Sequence, residues 1–435
     1  MKVFSCIVCV TTLCILFSSC SLEKKINRQA KAAIFTNTDF APAHIGIAVY
    51  DAETASYLYN YQGDKYFIPA SNTKLFTCYE AMKHLGDSLV GLRYVDKGNG
   101  IIEAEGNGDP SFLLAEFPHQ PVLDFLKKQK KILLTDQNWK EHALGAGWAW
   151  DDYQSDYMAE RSFLPVYGNL ASFSAASGFS ASPQYFQQPL QKAITGKNLA
   201  IQIERAYGSD SFFVIPSSRK FTRAAIPFYT GKGETMLQLL KDTLKTEVSL
   251  VHFRIDRLPD VIKIHTQPTD SLLSIMMHRS DNFFAEQTLL MISNEMLSYM
   301  NDRAIIDTLL KTDLKDLPQK PKWVDGSGLS RYNLFSPRDF VWVLKEMKQS
   351  FSWNRITQIL ATGGNGTLGA NYKQYANRIY AKTGTLSNHV ALSGYLITRK
   401  GRHLIFSVLV NAHQSSAAQI RKGVEQFLTG IIDKL

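Results

Sequence analysis

The period of the apolar positions changes along the chain, and the changes divide it. Residues 3–17, VFSCIVCVTTLCILF, form an uncharged apolar run of 15 residues behind Lys2. A membrane span needs about 20 such residues, so this length suits a secretory signal over 1–19. Residues 20–42 read as a tether leading into a first helix. HIGIAVYDAETASYLYNYQ (His44–Gln62) alternates apolar with polar, which predicts two strands around a turn at Asp51–Thr54. Leu75, Tyr79, Met82 and Leu85 then recur at helical spacing, and Gly86 is a natural stop.

From about 92 to 264 short β-like runs alternate with turn clusters such as KGNG and GNGDP, and aromatics are dense. This predicts a β-rich module. After Pro268 helical patterns return in DSLLSIMMH and NFFAEQTLLMISNEM. Three strand-like runs follow, RIYAKTGT, VALSGYLITR and HLIFSVLVN, before an amphipathic helix, AAQIRKGVEQFLTGIIDKL. These three strands and the early pair predict a five-stranded antiparallel sheet flanked by helices, an α/β fold built jointly by both ends of the chain. The expected organisation is a discontinuous α/β domain from 20–91 and 265–435, with 92–264 inserted. No internal repeat is present.

Cysteine usage narrows the setting. Four of the five cysteines, Cys6, Cys9, Cys14 and Cys20, lie in the export segment. Ser18-Ser19-Cys20 followed by polar SLEKK resembles a bacterial lipobox, in which Cys20 is lipidated and becomes the first mature residue. That implies an exported cell-envelope protein, periplasmic and held to a membrane by a lipid anchor. Cys78 alone cannot form an internal disulfide and is expected to be a small buried residue. No Cys/His cluster suggests zinc, and nothing calls for a metal or cofactor. The net charge of +9 loses only Lys2 with the signal. No basic run interleaves with aromatics, so the charge does not point to nucleic acid; it favours anionic wall polymers and lipids.

Candidate chemistry begins at PASNTKLFT, residues 69–77. A serine at a helix start is ordinarily a cap. Ser-x-x-Lys occurs at Ser21, Ser71 and Ser217, and chance alone supplies about two in such a chain. Ser-x-Asn occurs at Ser280 and Ser352, which is equally weak alone. Lys-Thr-Gly occurs once, at Lys382, where chance predicts on the order of 0.1. Order and context add the weight: SNTK opens a helix, SDN sits between two helical patterns, and KTGT lies on a strand.

The chemistry is coherent. A serine hydroxyl is a weak nucleophile at neutral pH and needs a base. Lys74, three residues on, shares the helical face of Ser71. Burial and a nearby cation such as Lys382 would lower the lysine pKa toward a working base. Ser280 can relay a proton to the leaving amine, and Asn282 can hold a substrate amide. Lys382 and Thr383 can bind a carboxylate, and Gly384 would let the strand approach an acyl-peptide closely. The N–H groups of Ser71 and Thr385 can form an oxyanion hole.

The motif set resembles the serine D-Ala-D-Ala carboxypeptidases and endopeptidases of the penicillin-binding protein 4 type, of low molecular mass class C. GNGDPSF (106–112), GWAWDDY (147–153), VYGNL (166–170), HRSDNFFAEQTLL, DGSGLSRYN (325–333) and GGNGTL (363–368) extend the likeness over roughly 40–430. The resemblance implies a transpeptidase/β-lactamase-like fold with a large insertion between the first two motifs, which are 209 positions apart here. It implies cleavage of peptidoglycan stem peptides through a Ser71 acyl-enzyme that penicillins and other β-lactams trap. Asp109-Pro110 is expected to be a turn, Trp148, Trp150 and Asp151–Asp152 to pack the insertion, and Asp325–Gly328 to shape a loop near the cleft. A β-lactamase uses the same groups, but the long insertion argues against the compact class A type. Tyr375–Asn377 lies too close to Lys382 to be a separate catalytic loop. An inactive wall-binding homologue is a further alternative, against which stands the intact motif set.

Overall fold

Near-continuous burial along β-strands covered on both faces sets up the centre of the fold. The computed structural model describes residues 22–176, 178–187, 190, 200–231 and 233–435. The signal segment and Cys20 lie outside the described residues. In place of a tether, the described chain starts as helix α1 (22–30), which continues into the π-turn Lys31–Phe35. Strands β1 (His44–Asp51) and β2 (Ser56–Tyr61) follow, then α2 (Lys74–His84), β3 (Ser88–Asp96) and β4 (Ile101–Gly106). The middle of the chain gives α3 (Pro121–Leu126), β5 (Lys131–Thr135), β6 (Leu170–Ser174), β7 (Ser180–Ser182), β8 (Ile201–Arg205), β9 (Phe212–Pro216), β10 (Arg223–Pro227), α4 (Glu234–Leu244), β11 (Glu247–Leu250) and β12 (Ile262–Pro268). The last part gives α5 (Thr269–Arg279), α6 (Asn282–Leu297), α7 (Asp302–Lys311), α8 (Pro337–Ser350), α9 (Trp353–Ile359), β13 (Ala361–Thr362), β14 (Ile379–Leu386), β15 (His389–Ile397), β16 (His403–Asn411) and α10 (Ala417–Lys434).

The central sheet has the order β13-β14-β15-β16-β1-β2, so both ends of the chain build it. It holds the five expected strands and a sixth, the two-residue β13, which pairs only with Tyr380 and Ala381. Two residues are too few to show an alternating pattern, so β13 carries no periodic signal. Along β1 and β14–β16 the pleat sends alternate residues to two cores. Ala48, Tyr380, Ala391, Tyr395, Ile405 and Leu409 join the core under α2, α5, α6 and α8. Ile47, Val49, Ile379, Ala381, Leu392, Phe406 and Val408 join the core under α1 and α10. Each fully buried Val, Leu, Ile or Phe among them contributes about 1.5–3 kcal/mol from apolar burial.

The middle of the chain forms three further sheets: β11-β5-β4-β3-β12, β10-β6-β7 and the hairpin β8-β9. β4, β5 and β11 run parallel, while β3 and β12 pair antiparallel, bringing 92 and 264 side by side. A third core gathers Leu92, Ile102, Phe163, Phe173, Phe228 and Leu240 with Leu290 of α6.

Candidate active site

Pro69 ends an extended segment, Ala70 takes a positive φ of 48°, and Ala70–Thr73 makes one 3-10 turn ahead of α2. Ser71 lies in that turn, and no side chain caps either helix start. The capping reading of Ser71 is therefore corrected: its hydroxyl accepts from Lys74 Nζ at 2.9 Å. Asn72 anchors the turn to the central sheet by donating to Ser393 Oγ at 2.7 Å, and Ser393 bonds Ser407 at 2.8 Å.

Lys74 is fully buried, and its three N–H groups are all used. Besides Ser71, Nζ donates to Asn282 Oδ1 at 2.7 Å and to the Ser327 carbonyl at 2.8 Å. Burial lowers its pKa to about 8, against the opposing charges of Asp325, Asp281 and Glu286. About a tenth of such an amine is neutral at pH 7, far more than for an ordinary lysine.

Ser280 ends α5 in the left-handed conformation, φ 61°. It is not the N-cap of α6; Asp281 fills that place, accepting from Phe284 N at 2.9 Å. The tight α5–α6 junction thereby turns Ser280 toward Lys382 and puts Asn282 at the start of the next helix. Lys382 Nζ donates to Ser280 Oγ at 2.8 Å and to the Thr383 carbonyl at 2.7 Å. Lys382 is also fully buried, and burial followed by the charge of Lys74 holds its pKa well below the ordinary lysine value. Asn282 Nδ2 donates to the Tyr157 carbonyl at 3.0 Å. The structure therefore brings Ser71, Lys74, Ser280, Asn282 and Lys382 together.

Strand alternation places Gly384 with Lys382 on the Ser71 side, and Thr383 and Thr385 on the α10 side. A Cβ at Gly384 would lie 2.6 Å from the Pro69 carbonyl and 3.2 Å from Ala70 Cβ. The glycine is thus required by the turn that carries Ser71, not only by an approaching ligand. Thr385 Oγ1 accepts from Arg421 Nη2 of α10 at 2.7 Å.

Two buried acids shape the remainder: Asp325, expected to shape a loop near the cleft, and Glu286, which motif reading alone did not single out. Asp325 is fully buried and accepts from Gly328 N at 2.8 Å, Ser330 N at 2.6 Å, Asn333 Nδ2 at 2.7 Å and Trp148 Nε1 at 3.0 Å. It ties the Asp325–Asn333 loop into the shape that presents the Ser327 carbonyl to Lys74. Glu286 accepts from Ser327 N at 2.7 Å and from Arg161 at 3.3 Å. Burial first, then Asp325, pushes the Glu286 carboxyl above its ordinary range, while Arg161 pulls it down. Glu286 lies four residues after Asn282, so its place on the same helix face was available from spacing. Arg421 carried no such signal. Trp148 lies against the Arg161 guanidinium within the insertion but bonds Asp325 outside it, and Trp150, expected to pack, is 73% exposed.

The remaining motif matches do other work. Ser352 caps α9 by accepting from Arg355 N. Tyr375 donates its hydroxyl to Asp433 at 2.7 Å, away from Lys74. Asp109 accepts from Ser111 N at 2.8 Å within its turn. Among the described residues, Glu80, His84 and Asp313 approach one another within 4.8 Å, but His84 and Lys83 already pair with Asp313 at 2.7 and 2.5 Å. A cleft of about 950 Å³ opens beside Ser280–Phe284 and extends past Tyr157 and Glu116 to Ser172 and Arg223.

Known proteins share this arrangement of chain. The curated D-alanyl-D-alanine carboxypeptidase DacB of Haemophilus influenzae is 22% identical over 423 residues, covering 86% of each protein. The D-alanyl-D-alanine carboxypeptidase of Actinomadura sp. is 25% identical over 444 residues, covering 90% of this chain and 82% of that protein. The crystal structure of penicillin binding protein 4 (DacB) from Haemophilus influenzae superposes with a TM-score of 0.69 at 16% identity, covering 92% of this chain and 97% of that one, and so shares the fold. The family model of the D-Ala-D-Ala carboxypeptidase 3 (S13) family matches residues 28–431, and the chain belongs to that family.

Proposed function

We propose that the protein is a cell-wall serine peptidase that cleaves the terminal D-Ala–D-Ala bond, D-Ala cross-links, or both, in peptidoglycan stem peptides through a Ser71 acyl-enzyme. One observation carries the assignment of roles: the Ser71 hydroxyl bonds a fully buried lysine whose pKa is about 8. Neutral Lys74 keeps two N–H bonds, to Asn282 and Ser327, and turns its lone pair to the Ser71 hydroxyl. It takes the hydroxyl proton as Oγ attacks the penultimate D-Ala carbonyl. The N–H groups of Ser71 and Thr385 stabilise the oxyanion, a contribution of roughly 3–4 kcal/mol per donor. As the C–N bond breaks, Ser280 Oγ passes a proton to the leaving amine and is reprotonated from Lys382 or Lys74. Water then hydrolyses the Ser71 ester, freeing the stem peptide. A β-lactam amide acylates Ser71 by the same first step.

The finer organisation belongs to this reading. Residues 20–91 and 265–435 form the catalytic unit, and 92–264 form a β-rich insertion that walls one side of the cleft. Residues 1–19 direct export, and lipidated Cys20 anchors the mature chain to a membrane facing the periplasm. Digestion of purified muropeptides, followed by mass analysis, tests the activity. Loss of one D-Ala, or scission of dimers, is expected, and Ser71→Ala abolishes both. Unchanged muropeptides after incubation with folded wild-type protein would overturn it.

A further inference from the structure

The outer face of α1 is basic and exposed. Between 22 and 38 the sequence holds Lys24, Lys25, Arg28 and Lys31 against one acid, Glu23. Lys24, Arg28 and Lys31 recur at the i, i+4, i+7 spacing of one helix face, and all three are exposed. Ile26, Ala30, Ala33 and Ile34 take the opposite face and are buried in the core beneath α1 and α10. Among the described residues none of the four cations pairs with a carboxylate. Lys25 donates instead to the Lys434 carbonyl at 3.3 Å. Asp39, the next acid, accepts from Ser415 and Gln419. The stripe ends at an aromatic pair: Phe35, 39% exposed, meets Tyr61, 38% exposed, edge to face at 4.6 Å. Cations followed by exposed aromatic rings suit the headgroup layer of a bilayer that contains anionic lipid.

The chain outside the described residues points to the same occupant. The apolar run 3–17 and the lipobox-like Ser18-Ser19-Cys20 lie directly before α1. Only Ser21 separates Cys20 from Leu22, and at about 3.5 Å per residue that stretch spans no more than about 7 Å. A lipid on Cys20 therefore holds the start of α1 against the membrane. Building on the lipid anchor proposed above, we infer that Lys24, Arg28 and Lys31, with Phe35 and Tyr61, form a membrane-docking surface for anionic phospholipid. The lipid holds the protein, and the stripe, weak alone and screened by salt, fixes its orientation. α1 covers one face of the central sheet, while α2, which carries Lys74, covers the other. A protein lying on α1 thus turns its catalytic helix away from the bilayer, toward the wall.

The test uses protein beginning at residue 20 with Cys20→Ala, so that no lipid contributes. Its vesicles are phosphatidylcholine alone, or phosphatidylcholine with an equal part of phosphatidylglycerol, at low salt. Cosedimentation is expected with the anionic vesicles only. Lys24→Gln, Arg28→Gln and Lys31→Gln together should weaken it roughly 10- to 100-fold. Lys127→Gln, Lys128→Gln and Lys130→Gln remove the same charge from exposed sites in the middle of the chain, and should change it less than about threefold. Unchanged circular dichroism shows that both variants fold. Equal losses in the two variants, equal binding to the two vesicles, or no binding to either would overturn the inference. So would wild-type protein that prefers isolated peptidoglycan to anionic vesicles. Fatty-acid labelling of Cys20 in cells reads the anchor separately: a labelled Cys20 beside no vesicle binding refutes only the surface, and vesicle binding with an unlabelled Cys20 refutes only the anchor.

Discussion

Glu286 and Lys74 meet through the backbone of a single residue, Ser327. The Ser327 N–H donates to Glu286 at 2.7 Å, and the Ser327 carbonyl accepts from Lys74 at 2.8 Å. The acid fixes the carbonyl that holds the lysine, and its charge also favours the protonated lysine. Asp325 and Asp281 act in the same direction, while Lys382 is the cation facing the pair.

The pH dependence follows from the sign of that coupling. Lys74 serves as a base only when neutral, and its pKa is about 8, so acylation by benzylpenicillin should rise with pH through about 8. Glu286→Gln keeps an oxygen for the Ser327 N–H but removes a negative charge. The midpoint should then move to lower pH, with a several-fold gain in acylation rate at pH 7. A stopped-flow pH series on both proteins checks this, and an unmoved midpoint would count against the coupling.

Asp325→Ala removes the common acceptor of two backbone N–H groups, the Asn333 amide and the Trp148 indole. Each buried donor left unpaired costs about 1–3 kcal/mol, so stability should fall by at least about 3 kcal/mol. Urea unfolding measures the loss. Acylation should fall with it, because the loop no longer presents Ser327 to Lys74.

Gly384→Ala separates packing from chemistry. The new Cβ would sit 2.6 Å from the Pro69 carbonyl, so β14 and the Ser71 turn must part. A displacement near 1 Å in a reacting geometry costs on the order of 100-fold. The acylation rate should fall by about that factor while circular dichroism stays that of wild type.

Under the proposed lipid anchor, Cys20→Ala should release the protein from the membrane fraction and abolish incorporation of labelled fatty acid. Fractionation of cells with and without the substitution reads both.

What was legible in the sequence depended on how local the signal was. Strand-like runs of eight or nine residues made β14, β15 and β16 readable, and helical spacing did the same for α2 and α10. SNTK, SDN and KTGT were found because each motif spans a few consecutive residues. The two-residue β13 lies below any period. That Asp281 and not Ser280 caps α6 depends on one left-handed residue, Ser280, which no pattern of types specifies. Asp325 and Glu286 lie hundreds of positions from Lys74, and Arg421 meets Thr385 across 36 positions; only tertiary packing brings each to its partner. The glycine in KTGT was assigned to a ligand, whereas its nearest neighbour is the Pro69 carbonyl of the chain itself.

The most direct test of the central claim is the intact mass and peptide map of purified protein after benzylpenicillin treatment. A single penicilloyl adduct on the peptide containing Ser71, absent in Ser71→Ala and formed far more slowly in Lys74→Ala, is the result expected. Folded wild-type protein with no adduct, or with its adduct on another residue, would contradict the assignment of Ser71 and Lys74 as nucleophile and base.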